Sequence, residues 1–310
     1  MIRPAALRND ARIALVAAAG PLRGEAVDRA AERVRAWGWE PLVGEHARLR
    51  TGYLAGSDEQ RAADLQAAVN DPQNHAIWFL RGGYGTMRIL DRIDWSPLVA
   101  RPRPVIGFSD NTAIHLALQR HGLISFHGPH PAADDLTSFA EAGVRQALIN
   151  PKPAGPVPFP PGAAARAHTL VGGRAEGPLI GGNLSLIAAT LGTPFAIRAR
   201  GAILFLEEIG EPAYRIDRLL SQLSLAGVLR DVAGVAVGAI SDCPDLPADS
   251  IQGTADLLLD RLAECGVPVA FGFPFGHVPD NWTLPVGVRA RLDADAGSLE
   301  VLEGGVERKF

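Results

Sequence analysis

The first 130 residues alternate between two hydrophobic periods, and this alternation restricts the fold more than any other feature. Unbroken apolar runs recur at "IALVAAAG", "AIWFL" and "PVIG", each leading into glycine. A run that is apolar at every position suits a strand covered on both faces, as in a parallel sheet. Helical spacing fills the gaps. Val27, Ala30, Ala31, Val34 and Trp37 share one face, and Gly38 closes that segment. "SDEQRAADLQAAVND" begins with Ser57 and places Gln60 three residues on, a capping box, with Ala62, Leu65 and Val69 as its stripe. "EPLVG" reads as a second strand, "NTAIHLALQRHG" as a helix and "LISFHGPH" as a further strand. The rhythm predicts an α/β fold with a mostly parallel, doubly wound sheet.

The rhythm breaks after residue 150. Residues 151–161 hold six prolines in eleven positions. Proline cannot donate to a ladder, so residues 151–165 are expected to form an extended linker and not a packed element. At roughly 150 residues per domain, a 310-residue chain is expected to form two domains. The boundaries implied are 1–150 and 166–310. In the second half "GAILFLEE", "VAGVAVGAI" and "VPVAFGFP" read as strands. "GGNLSLIAATLG" reads as a short helix after a turn, and "YRIDRLLSQLSLAG" and "TADLLLDRLAECG" as helices. Val288, Ala290 and Leu292 alternate, and Leu299 and Val301 resume after a turn near Gly297, which predicts a hairpin.

Composition excludes several functions. The net charge is −4, with no clustered basic footprint for nucleic acid. The apolar run near the N-terminus spans only seven residues and follows Arg12, so it reads as a strand and not a signal peptide. No run reaches the roughly 20 apolar residues of a membrane span. The two cysteines, Cys243 and Cys265, have neither disulfide-framework nor metal-type spacing. A cytoplasmic protein is expected.

Chemistry is first visible at "VIGFSDN", where a strand enters a helix at Ser109. Backbone amides converge at such a place and the helix dipole is positive. Ser109 or Asp110 then reads either as a helix cap or, for Ser109, as a nucleophile. The second glycine of the hydrolase elbow is missing. "RGGYG" also ends a strand, and its glycines let backbone approach a ligand. It lacks the Walker A ending. If its strand neighbours the Ser109 strand, the Gly83 amide faces the serine. The alternative is a plain tight turn.

A serine nucleophile needs a base, and eight histidines are available. His127 and His130 in "HGPH" have metal-type spacing, but Gly128-Pro129 between them implies a turn and no carboxylate cluster accompanies them. His277, between Gly276 and Pro279, sits in a loop directly after an apolar strand. It reads equally as a base or as a structural histidine. Glu207 and Glu208 end the strand "GAILFLEE". Strand alternation sends them to opposite faces, so only one can enter a site.

Together these fragments resemble the LD-carboxypeptidases of the S66 serine peptidase family, which includes murein tetrapeptide carboxypeptidases and the peptidases that inactivate microcin C. "IALVAAAGP", "GYLAGSDEQRAADLQAA", "AIWFLRGGYGTMRILDRID", "VIGFSDNTAIHLAL", "LIGGNLSLIAATLGTPF", "ILFLEEIGEPAYRIDRLLSQL" and "GFPFGHVPDN" carry the resemblance in order along nearly the whole chain. It implies a Ser-Glu-His triad of Ser109, Glu207 and His277, with the amides of Gly83 and Asp110 as oxyanion donors. It further implies an N-terminal Rossmann-like domain carrying the serine and a smaller β-rich domain carrying Glu and His, with the site between them. No cofactor or metal is implied, and a homodimer is expected. The expected reaction releases terminal D-Ala from a small murein tetrapeptide in cell-wall recycling. The alternatives are cleavage of an aminoacyl-nucleotide amide and, more distantly, a non-catalytic ligand-binding protein. Ala18 replaces a frequent proline and His130 a frequent methionine, which leaves substrate preference open.

Overall fold

The computed structural model describes residues 1–163, 166–245 and 251–308. Two positions of the expected linker, 164 and 165, lie outside them. The chain divides into two compact units. One comprises Met1–Lys152, Thr283–Pro285 and Gly304–Phe310, the other Pro153–Trp282 and Val286–Glu303.

The first unit is built on β1 (Arg12–Val16), β2 (Glu40–Val43), β3 (Ala76–Phe79), β4 (Val105–Gly107) and β5 (Ser125–His127), all paired in parallel in the order β5-β4-β3-β1-β2. Residues Leu284–Val286 add a strand beside β5. Every residue of β3 is buried, as the unbroken apolar run requires. Each such large side chain contributes roughly 1.5–3 kcal/mol of burial before entropy is counted. The connecting helices are α1 (Ala26–Ala36), α2 (Asp58–Asn70), α3 (Ser96–Ala100), α4 (Thr112–Arg120) and α5 (Ser138–Ile149). Helix α2 starts with the expected capping box: Ser57 Oγ accepts from Gln60 N and Gln60 Oε1 accepts from Ser57 N. Trp78 on β3 packs against Trp37 and Trp39 and donates its indole N–H to Pro129 O at 2.9 Å.

The second unit holds an eight-stranded mixed sheet of β6 (Gly155–Pro156), β7 (His168–Val171), β8 (Arg174–Asn183), β9 (Ile203–Ile209), β10 (Gly234–Ser241), β11 (Val269–Phe271), β13 (Arg289–Asp293) and β14 (Ser298–Val301), with β12 denoting Leu284–Val286 of the other sheet. The order is β6-β14-β13-β8-β9-β10-β11-β7. Strands β8, β9, β10 and β11 run parallel, and β13–β14 is the expected antiparallel hairpin. Helices α6 (Leu184–Ala189), α7 (Ala213–Leu225), α8 (Val228–Asp231) and α9 (Ile251–Leu262) complete the unit. Among the described residues no helix is long and apolar enough to cross a membrane.

Three expectations need correction. Part of the proline tract is a packed element: Gly155 and Pro156 pair with Val301 and Glu300. Strand β6 lies at the sheet edge, where proline's missing N–H leaves no ladder bond unmade. The expected 166–310 domain loses its tail to the first unit. Ala6 N donates to Glu307 O and Glu307 N to Pro4 O, both at 2.9 Å. Lastly, Gly181 and Gly182 belong to a ten-residue strand and not to a turn. A Cβ on Gly181 would lie 1.8 Å from Phe205 O, so only glycine allows β8 this close to β9.

Candidate active site

In the first unit the candidate residues cluster at the carboxyl ends of neighbouring strands β3 and β4, where ligand crevices form in open parallel sheets. Ser109 follows β4 with φ +61°, a left-handed conformation that few non-glycine residues adopt. Such strain costs on the order of 1–3 kcal/mol and persists only where the surroundings impose it. The N-cap position of α4 is Asn111, and no side chain caps that helix. Ser109 is therefore not its N-cap.

The "RGGYG" turn forms a wall against the serine. A Cβ on Gly82 would lie 2.8 Å from Ser109 Cβ and 2.9 Å from Oγ. Gly83 has φ +100°, and its Cβ position would lie 3.4 Å from Gly20 Cα. Gly20 N donates to Gly82 O at 2.9 Å, joining the turn after β1 to this wall.

Asp110 clamps the two turns together. Its Oδ2 accepts from Thr86 N and Thr86 Oγ1, both at 2.8 Å, and its carbonyl accepts from Thr86 Oγ1 at 2.6 Å. Burial pushes the Asp110 carboxyl above its ordinary pKa, opposed by these Thr86 bonds. The "HGPH" histidines are drawn into separate tasks. His127 is buried in β5. His130 Nε2 contacts Asn111 Oδ1 at 2.9 Å and its ring lies 4.5 Å from Phe108. His115 on α4 meets Gly107 O at 2.8 Å and Ser125 Oγ at 2.9 Å, and burial lowers its pKa to about 4. A cleft of about 450 Å³ opens against Arg23, Arg81, Phe108 and His130.

In the second unit Glu207 and His277 meet. His277 Nδ1 lies 2.6 Å from Glu207 Oε2, with the carboxylate fully buried and the imidazole 16% exposed. Gly276 makes the approach possible. Its φ is +105°, and a Cβ there would come within 2.7 Å of Glu207 Cβ. Asn281 Oδ1 accepts from Gly276 N, and Ser241 Oγ donates to His277 O, so the loop is held on both sides of the imidazole. Glu208 points the other way, as alternation along β9 demands. It accepts from Asn183 Nδ2, Ser185 N and Ile209 N, and burial raises its pKa. Its carboxylate ties β9 to the start of α6 and lies away from His277.

A carboxylate on Nδ1 fixes the imidazole tautomer and leaves Nε2 to take up a proton. A strained serine beside a glycine wall suits attack on a carbonyl. Sequence reading missed Thr86 and Asn111, which hold the serine turn. A threonine after a glycine turn and an asparagine at a helix start are too common to stand out singly.

Residues 13–128 match the LD-carboxypeptidase N-terminal domain and residues 176–292 its C-terminal domain. A Streptomyces coelicolor protein with a provisional carboxypeptidase name is 42% identical, with 96% of each chain covered. The murein tetrapeptide carboxypeptidase of Pseudomonas aeruginosa is 34% identical over 92% of this chain and 94% of its own. The crystal structure of a muramoyltetrapeptide carboxypeptidase from Oxalobacter formigenes superposes with a TM-score of 0.82 at 30% identity, covering 96% of this chain and all of that one. The chain thus belongs to the LD-carboxypeptidase family, and it is a serine-type peptidase.

Proposed function

We propose that Ser109, His277 and Glu207 act as one triad, releasing terminal D-Ala from a murein tetrapeptide in the cytoplasm. The contact between His277 Nδ1 and Glu207 Oε2, at 2.6 Å, carries this reading. It supplies an imidazole oriented by a buried carboxylate. Ser109 Oγ attacks the carbonyl of the amide between an L-centre and D-Ala as His277 takes its proton. The amides of Gly83 and Asp110 hold the oxyanion. His277 then protonates the leaving amine, and water repeats the cycle on the acyl-serine. Buried Glu207 stabilises the imidazolium formed in each step. Arg23 and Arg81 on the cleft beside Phe108 suit the terminal carboxylate of such a peptide. Similarity to the Pseudomonas aeruginosa enzyme supports the choice of substrate.

The test incubates the full chain with muramoyl tetrapeptide and, separately, with an aminoacyl sulfamoyl adenosine, with products read by mass spectrometry. Free D-Ala from the first substrate at the faster rate is the expected result. Faster cleavage of the nucleotide conjugate, or of neither, contradicts the proposal.

A further inference from the structure

The amino ends of β1, β3 and β4 carry a feature that the peptidase reaction does not use. A groove of about 520 Å³ opens there within the first unit. Arg8, His75, Arg101, Arg103 and Arg308 line it, with Asn74 beside them. Arg8 precedes β1, His75 directly precedes β3, Arg101 and Arg103 lie between α3 and β4, and Arg308 comes from the returning C-terminal tail. Ser109 follows the opposite end of β4.

Four arginines line this groove in a chain of net charge −4. Like charges repel unless an anion answers them. Acidic groups nearby include Asp71, Asp10 and Glu307, which directly precedes Arg308. Asp71 lies 3.8 Å from Arg12 and accepts from Gln73 N. Among the described residues no carboxylate forms an ion pair with Arg8, Arg101, Arg103 or Arg308. Burial, and then the charges of Arg8 and Arg101, hold the His75 imidazole below its ordinary pKa despite Asp10. Burial and Arg101 likewise lower that of Arg103.

Two buried polar atoms on this wall lack partners. Arg103, 6% exposed, donates through Nη1 and Nη2 to the carbonyls of Asp71 and Val69 and so closes the C-terminal end of α2. Its Nε has no hydrogen-bond partner. Asn74, 1% exposed, donates through Nδ2 to Ala68 O, and its Oδ1 has none. Both atoms are sealed from solvent, so they lie behind the groove surface and the arginines at its mouth face any ligand. Capping α2 explains Arg103 but not the three other arginines.

We propose that this groove is a second ligand site, for a small multiply charged anion of the phosphate class. Guanidinium forks match phosphate oxygens, and a concave wall fits a small ligand better than a flat polymer or bilayer.

Isothermal titration of the full chain with inorganic pyrophosphate at low salt tests the site, with citrate as competitor. Saturable one-site binding is expected. It should weaken at least about tenfold, roughly 1.4 kcal/mol, in Arg101→Gln/Arg308→Gln, whose side chains are exposed, and by a similar factor in Arg8→Gln. It should be unchanged in Ser109→Ala. Circular dichroism and D-Ala release in the arginine variants should match wild type. No saturable binding, equal binding by the variants, loss in Ser109→Ala, or stronger binding of citrate than of pyrophosphate would each overturn the proposal.

Discussion

In the first unit the surroundings of Ser109 are made mostly of backbone. A left-handed serine, a glycine wall and the Thr86–Asp110 clamp leave little free space and few rotatable bonds. In the second unit the equivalent work falls to side chains. A buried carboxylate reaches across from β9 to an imidazole on a loop, with glycine needed only to let them approach. Ser109 is thus placed by conformation and His277 by a hydrogen bond. The two regions should fail differently when altered: the first through shape, the second through charge.

The largest loss is expected from Ser109→Ala, which removes the proposed attacking atom. D-Ala release should fall by at least about 10⁴-fold with folding intact. Gly82→Ala tests placement by shape. No positive φ strains an alanine there, so the added Cβ acts only by displacing Ser109. We expect kcat to fall about 10²-fold or more, with about 1–3 kcal/mol lost in stability. An active Gly82→Ala enzyme would mean that the wall does not position the serine.

The adjacent glutamates test placement by charge. Glu207→Gln should lower kcat by about 10³–10⁴-fold with little change in KM. Glu208→Gln should leave kcat within about threefold yet lower stability to chemical denaturation by roughly 1–3 kcal/mol, since three donors lose their carboxylate. If the two variants exchanged phenotypes, the assignment along β9 would be reversed.

The smallest effect concerns His115, whose pKa burial lowers from an ordinary 6.5 to about 4 in the folded chain. Between those values the unfolded chain binds the extra proton, so stability falls as pH drops from about 6.5 to 4. This residue accounts for about 3 kcal/mol of that fall. His115→Gln should flatten the slope of denaturation midpoint against pH in this window. An unchanged slope would show that His115 is protonated in the folded chain.

The sequence made the backbone-built region easier to read than the side-chain-built one. The apolar runs of β1, β3 and β4 and the Ser57–Gln60 box are local signals, and each became the element its pattern implies. Strand β8 was hidden because Pro178 and three glycines lower its strand propensity, and the closeness of Phe205 O that requires Gly181 is a long-range fact. β6 was hidden because proline is a poor ladder former except at an edge. Helix α5 was passed over although Ala140, Val144, Ala147 and Leu148 carry its buried stripe. For Glu207 and Glu208, alternation showed that they part, but not which one meets His277, since that partner lies 70 residues away.

The central claim is that Ser109 and His277, one from each unit, work as a single catalytic device. The most direct measurement is a double-mutant cycle on kcat for D-Ala release, with Ser109→Ala, His277→Ala and the combination. A shared device predicts that the double variant is no slower than the slower single one. Losses that multiply would contradict the claim and show that the two residues act independently.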